Sequence, residues 1–480
     1  MIEGVNLRAQ RLNMLKAMAL VLAFCVPGLL IGAVLASPDW KMAITVAGLV
    51  TYVAVVLVNP TAGFLLWVAT APFARFLYLN ISLGRGIPDL SLDRIVSAFT
   101  FVLLMAQLAI RKRHMARLTV VDLFMVLFLL GAGLSLPQAM AGTTATIQAF
   151  FDTQVVPLLV YLMAKNLINN RSAHRAFVFT LLFMGAYLSA LVIHEQLTGI
   201  ILFYPEGRTL QYTAHIRRVV GLLGNPAFFA MILGMILPFA WRALLQARTR
   251  WGGLIRLALV GAMVWAIYLC YNRAGWLAAL LAMLFMALFY PRFRKLFMPL
   301  LLLAGIVTAL SWGQLSQSYV ISERLTAQAP VDYRFNAIDV ALRMVSSNPV
   351  FGRGYGNFGY LYARYATDWT QTRVLPAPHN TYINILVSAG LAGFVPFVGL
   401  FLAILGHGLR LWKLGGRNLA IDRSLLVCMV GSLLVYTSTI FFSDIVAVPY
   451  VTSVFFCIVG GVLGYQERVL HVWEPREGAA

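Results

Sequence analysis

The strongest constraint on this chain is a succession of long apolar runs. A helix that crosses a bilayer needs about 20 largely apolar residues. Candidate runs, some of them short, fall at 15–36, 42–58, 62–78, 95–110, 120–136, 146–164, 176–197, 219–244, 257–272, 274–290, 296–312, 380–405, 424–442 and 449–466. They are continuous rather than alternating, so they predict helices and not the strands of a membrane barrel. The expected fold is an all-α polytopic membrane protein of about 12 (12–14) transmembrane helices, with 1–480 forming a single transmembrane domain. Composition agrees: 61% of residues are hydrophobic and 11% charged, whereas a soluble domain carries about 25% charged residues. A soluble enzyme, a disordered chain and a secreted disulfide scaffold are excluded. Cys25, Cys270, Cys428 and Cys457 sit in apolar runs with neither CxxC nor metal-ligand spacing, which reads as buried thiols. The basic start, Met1 to Lys16, precedes an apolar stretch without a small-residue cleavage site, so that stretch is expected to stay as the first span.

Charge then gives orientation. Lys and Arg number 37 against 17 Asp and Glu, a formal net of +20. Clusters at Arg8 to Lys16, Arg111 to Arg117, Lys165 to Arg175, Arg242 to Arg256, Arg292 to Lys295 and Arg410 to Arg423 alternate in one consistent phase. The positive-inside bias therefore puts both termini in the cytoplasm. Thirteen basic residues fall in the opposite loops: Lys41, Arg85, Arg94, Arg208, Arg217, Arg218, Arg273, Arg324, Arg334, Arg343, Arg353, Arg364 and Arg373. Twelve of them are arginine, the side chain suited to bidentate phosphate contacts. They point to a polyanion-binding cavity on the outer side. The bland alternative is salt bridging to Glu323, Asp332, Asp339 and Asp368, with contacts to anionic lipid. No basic domain stands apart from the spans, so nucleic acid is not an expected partner.

The loop 313–379 is too long for a turn, and long loops are uncommon unless functional. Phe335, Ile338, Leu342 and Val345 recur at helical spacing and predict an amphipathic helix lying on the membrane domain; Phe358 to Tyr365 predicts a second, shorter one. Between them lie Asn348-Pro349 and the run Gly352-Arg353-Gly354-Tyr355-Gly356. That run follows no strand, so a dinucleotide fingerprint fails on context. A tight turn that lets backbone approach a ligand or the next helix fits better.

Three further motifs flank this loop. Tyr271-Asn272-Arg273-Ala274-Gly275-Trp276 puts an arginine between two apolar runs, which costs about 2.5–3.5 kcal/mol on insertion scales unless it faces a polar cavity or an anionic head group. Snorkelling to the interface is the simpler alternative. Pro378-His379-Asn380-Thr381-Tyr382 opens a span. A histidine at a helix N-terminus is biased toward its neutral, basic form and suits removal of a proton from a sugar hydroxyl. Gly221-Leu222-Leu223-Gly224-Asn225-Pro226 follows Arg217-Arg218 and reads as a helix cap or kink. No HExxH or acidic-histidine cluster argues for a metal.

In order and spacing these motifs resemble the O-antigen ligase family of Gram-negative bacteria, within the broader group of O-antigen polymerases and protein O-oligosaccharyltransferases. The resemblance covers roughly 200–400. It implies a GT-C-type glycosyltransferase of the inner membrane with a periplasmic active site, the loop 313–379 carrying part of it. The implied donor is O-antigen glycan on undecaprenyl pyrophosphate, and the implied acceptor a sugar hydroxyl of lipid A–core. Neither metal nor nucleotide would be needed, and no cofactor is expected. By position, His379 matches the family's loop histidine, and Arg273 and Arg334 its essential arginines. Arg217, Arg218, Arg324, Arg343, Arg353, Tyr355 and Asn380 are candidate substrate contacts. Asn272-Arg273-Ala274 departs from the more usual Ser/Thr-Arg-Gly. The expected mechanism has His379 as general base, an arginine clamp on the pyrophosphate, and inversion at the anomeric carbon. Alternatives are an O-antigen polymerase, a protein O-oligosaccharyltransferase, a transporter of anionic lipid, which would pair charges at mid-membrane, and an enzyme using Asp39 in its first outer loop.

Overall fold

A computed structural model of the chain describes residues 40–77, 80–81, 84, 89–110, 113–203, 211–212, 216–319, 329–367, 376–416, 420–444 and 449–473, with the isolated positions 25, 28 and 32. The expected first span at 15–36 and Arg324, Arg85, Arg208, Arg373, Glu323, Asp368 and Asp39 lie outside the described residues.

The protein is an all-α polytopic membrane protein. Among the described residues, ten helices are long and apolar enough to cross a membrane, and Ile44–Val58, Pro60–Phe73 and Arg273–Phe289 are shorter apolar helices beside them. The order is α1 (Trp40–Val58), α2 (Pro60–Thr70), α3 (Leu92–Ala109), α4 (Val120–Gly133), α5 (Thr143–Phe150), α6 (Val156–Leu167), α7 (Arg171–Thr198), α8 (Pro226–Leu245), α9 (Arg250–Leu269), α10 (Arg273–Phe289), α11 (Pro291–Leu310), α12 (Ala329–Ser346), α13 (Phe358–Tyr365), α14 (Thr381–Leu414), α15 (Arg423–Ile440) and α16 (Pro449–Trp473). A π turn, Phe151–Val155, joins α5 to α6 as one span. Among the described residues the strands are two-residue pairs: β1 (Asn80–Ile81) with β2 (Leu90–Ser91), and β3 (Gln211–Tyr212) with β4 (Arg217–Arg218).

Helix α8 is the hub. Every residue from Pro226 to Trp241 is buried, because α7, α9, α10 and α15 surround it. An apolar circumference suits a helix with no solvent or lipid face. Helix α11 is the opposite case: among its buried residues is Phe293 alone, and most of its leucines are exposed, as lipid contact requires. Two acidic residues of the spans are paired, Asp122 at the start of α4 and Asp152 in the π turn. Lys165 meets Asp122 at 2.6 Å and Arg94 meets Asp152 at 2.6 Å.

The span expected at 380–405 is not one helix. Gly390 stands at φ 60°, ψ −158° inside α14, a conformation essentially confined to glycine. The chain folds back there. Tyr382 packs its ring 5.7 Å from Phe397 and 6.4 Å from Phe401. Fifteen residues along a continuous helix would separate the first pair by about 22 Å. So α14 has a short arm, 381–389, doubled against a long arm, 391–414, which supplies the span.

The glycine-rich run explains how the break survives. Leu391 and Ala392 donate their N–H groups to the carbonyls of Pro349 and Val350 (2.9 Å each), while Arg353 and Gly354 donate to Val387 (2.7 Å) and Ser388 (3.0 Å). Backbone groups freed by the break are re-bonded inside the protein, the condition for irregular backbone at membrane depth. Gly352 and Gly390 touch backbone to backbone, and a Cβ on either would strike the other's chain.

Two amphipathic helices do occupy the loop, at α12 and α13. The buried face of α12 differs from the expected one. Ala337, Val340, Ala341 and Met344 pack with Phe358, Tyr362 and Val387; Phe335 and Leu342 are 67% and 53% exposed. Small side chains let α12 approach the short arm of α14 closely, and the bulkier stripe is left outward.

Candidate active site

Three helices begin at one face with the same device. Asn225, Asn272 and Asn380 cap α8, α10 and α14, accepting from the N–H of Ala227 (2.9 Å), Gly275 (2.7 Å) and Ile383 (3.1 Å). An asparagine side chain here satisfies one of the orphan donors of the first turn. Asn272 thus does what Ser or Thr would do at that position. The residues before the last two caps, Tyr271 and His379, both hold φ +46°, uncommon for any side chain but glycine.

The Tyr271 turn joins α9 directly to α10. Trp276 donates its indole N–H to Ile267 O at 3.0 Å, and its ring stacks on Tyr268 at 5.7 Å. Gly275 meets Ala230 of α8 where a Cβ would not fit. These contacts fix Arg273 in the first turn of α10. A cation there opposes the helix dipole, so the position calls for an anion.

The His379 turn is held from a distance. The Tyr333 hydroxyl donates to Ala377 O at 3.2 Å and accepts from Ala377 N at 3.3 Å. The Tyr333 and His379 rings meet edge to face at 5.6 Å. Thr381 donates to Ser443 O at 2.9 Å, and Asn384 to Asp444 at 2.7 Å. Arg334, next to Tyr333, reaches Phe442 O at 3.5 Å.

Electrostatics ties the two turns together. Desolvation, then the neighbouring charge of Arg273, lowers the Arg334 pKa from its ordinary value. The His379 ring is accessible to solvent, yet protein on its inner side partly desolvates it. That desolvation, then the Arg334 charge, lowers its pKa below the usual 6.5. His379 is therefore neutral at neutral pH. Arg273, Arg334 and His379 form one electropositive group at two helix starts.

Other sequence-chosen residues divide. Arg217 is bound to Glu195 (3.5 Å) and to Gly199 O. Gln196 donates to both Arg217 O and Leu269 O at 3.2 Å, which links β4 to the end of α9. Arg218 acts electrostatically on Cys270, the residue before Tyr271. Both arginines thus border the Arg273 turn. Arg343 lies nine residues beyond Arg334 on α12, about 14 Å by helical rise, paired with Asp339 at 2.7 Å. Arg353 bonds the Tyr365 hydroxyl. Tyr355 is buried, its hydroxyl 2.6 Å from Thr153. These last three build the loop that holds α14 rather than join His379.

Sequence reasoning missed Tyr333, Glu195 and Asp444. Glu195 carried a signal: it is an acid near the end of a span, 3% exposed in the structure, taking the Val220 N–H at 2.9 Å. Tyr333 carried none beyond its place beside Arg334. Among the described residues, no three His, Cys, Asp or Glu side chains gather to hold a metal ion.

Residues 258–398, from within α9 to the upper part of the long arm of α14, match the protein family described as O-antigen ligase. No curated protein matches the chain.

Proposed function

We propose that this chain, whose residues 258–398 match the O-antigen ligase family, moves O-antigen glycan from undecaprenyl pyrophosphate to a sugar hydroxyl of lipid A–core. In this reading the arginine face is periplasmic and the protein is a GT-C-type enzyme of the inner membrane with both termini cytoplasmic.

The observation that carries the reading is the grouping of Arg273, Arg334 and a neutral His379. Two neighbouring cations, Arg273 in the first turn of α10 and Arg334, whose pKa the Arg273 charge helps to lower, suit a ligand with concentrated negative charge. A pyrophosphate supplies it. Arg273 and Arg334 clamp the pyrophosphate and stabilise the charge that grows as it leaves. Arg217 and Arg218 extend the same surface. His379 takes the proton of the acceptor hydroxyl. The hydroxyl oxygen bonds to the anomeric carbon as the bond from that carbon to the pyrophosphate oxygen breaks. The electron pair leaves with undecaprenyl pyrophosphate, and one displacement inverts the anomeric centre. Asn380 aims the helix start, while Arg353 and Tyr355 serve the site as scaffold.

Reconstitution with lipid-linked glycan and lipid A–core, without metal or nucleotide, tests this. A ladder of glycan on lipid A–core is the expected product. A longer polyprenyl-linked chain with unmodified lipid A–core would make the protein a polymerase instead.

A further inference from the structure

A large cavity lies at the other face, about 42 Å from the arginine site by the length of α7 (28 residues). It measures about 1980 Å³, more than a small-molecule pocket needs. Arg171 and Arg175 of α7, Arg248 after α8, Arg292 of α11 and Arg468 of α16 line it. All five are exposed and, among the described residues, make no hydrogen bond or ion pair. Three further arginines on its wall are engaged by protein: Arg242 by Asp422 and Ser424, Arg256 by Ala243 O, Arg423 by Trp412. Among the described residues, Asp422 is the one carboxylate on the lining, and Arg242 already holds it.

Positive-inside bias accounts for which face these arginines occupy. It does not account for their convergence from four elements on one cavity, where uncompensated like charges repel. The wall also has an apolar continuation. Arg171, Arg175, Phe179 and Phe183 follow at four-residue intervals and so form one stripe of α7. Phe179 and Phe183 are 69% and 52% exposed and stack at 6.4 Å. Phosphate-binding side chains thus sit directly above bare aromatic surface, as a head group sits above its acyl chains.

We propose that this cavity binds an anionic phospholipid whose head group carries two phosphates, its phosphates on the five arginines and a chain along Phe179 and Phe183. Basic pockets between transmembrane helices have the chemistry for such head groups. The site is separate from the transfer reaction and does not depend on that reading.

The test uses full-length protein in neutral detergent. Native mass spectrometry would count retained lipid, and thermal unfolding would be titrated with diphosphatidylglycerol, phosphatidylglycerol, phosphatidylcholine or inorganic pyrophosphate. One tightly held diphosphatidylglycerol and a saturable rise in Tm are expected. The Arg175→Gln/Arg248→Gln double variant should bind it about 30-fold more weakly, and Phe179→Ala should also weaken it. All three substitutions are at exposed positions, so the lipid-free Tm of both variants should stay near wild type. Unchanged retention in both variants would overturn the site. Equal stabilisation by pyrophosphate would overturn the lipid assignment, and equal retention of phosphatidylglycerol the two-phosphate assignment.

Discussion

The turns at Tyr271 and His379 are built alike and supported differently. Each has a left-handed residue at φ +46° followed by an asparagine cap. The first is hydrogen-bonded by neighbours in sequence, with Trp276 bonded to Ile267 nine residues away, and packs on Ala230 of α8. The second is closed by Tyr333, 44 residues upstream of Ala377, and by Ser443, 62 residues downstream of Thr381. A turn that folds from local contacts can position a fixed charge. A turn that waits for distant segments positions a proton acceptor only after the whole site has assembled.

Removing the side chains that the turns present should have the largest effects. His379→Ala should lower transfer by about 10²–10⁴-fold and Arg273→Ala by about 10²–10³-fold, with thermal unfolding unchanged. Initial rates on a lipid-linked donor check both, and a near-normal rate for well-folded His379→Ala would falsify the base assignment. Next comes Gly390→Ala. Forcing a Cβ into that backbone costs about 1–3 kcal/mol, beyond its clash with the 350–352 backbone. It should lower Tm and transfer together, whereas a loss of neither would mean that the break is not needed.

Cap removal separates the turns more finely. Asn272→Ala and Asn380→Ala should each cost about 1 kcal/mol of stability. Transfer should suffer more from Asn380→Ala, because the His379 turn has less local support; equal rate losses would erase the contrast drawn above. The smallest effect is on pH dependence. In the proposed mechanism His379 acts when unprotonated, and its pKa is lowered by desolvation and then by Arg334. The rate should hold as pH falls through neutrality and drop only below the ordinary histidine value. Arg334→Gln removes a positive neighbour, so the residual rate should show its acid limb at higher pH. A limb that stays put would separate the two residues.

Most of the fold was readable because hydropathy alone selects a spanning helix. Each described apolar helix falls on an expected run, from 42–58 through 449–466. The break at Gly390 was not readable, since the run across it stays apolar and composition does not register a reversal. The packing face of α12 was misread for a related reason. Spacing picks out bulky residues such as Phe335 and Leu342, but close approach to Val387 selects Ala337 and Ala341. At the site, Arg273, Arg334 and His379 were legible as cations or bases in places that disfavour charge. Their mutual proximity was not, because it depends on Tyr333 and Phe442, which bring nothing but a hydroxyl and a carbonyl.

The doubled helix also sets an order of manufacture. Gly352 leaves the ribosome 38 residues before Gly390, about 2–8 s earlier at ordinary elongation rates. Until the later segment arrives, the carbonyls of Pro349 and Val350 and the N–H groups of Arg353 and Gly354 have no helix to bond. The loop must therefore emerge first and wait for its partner. The short arm can then fold back only onto a template already delivered, which makes the His379 end of the site the last part of this face to form.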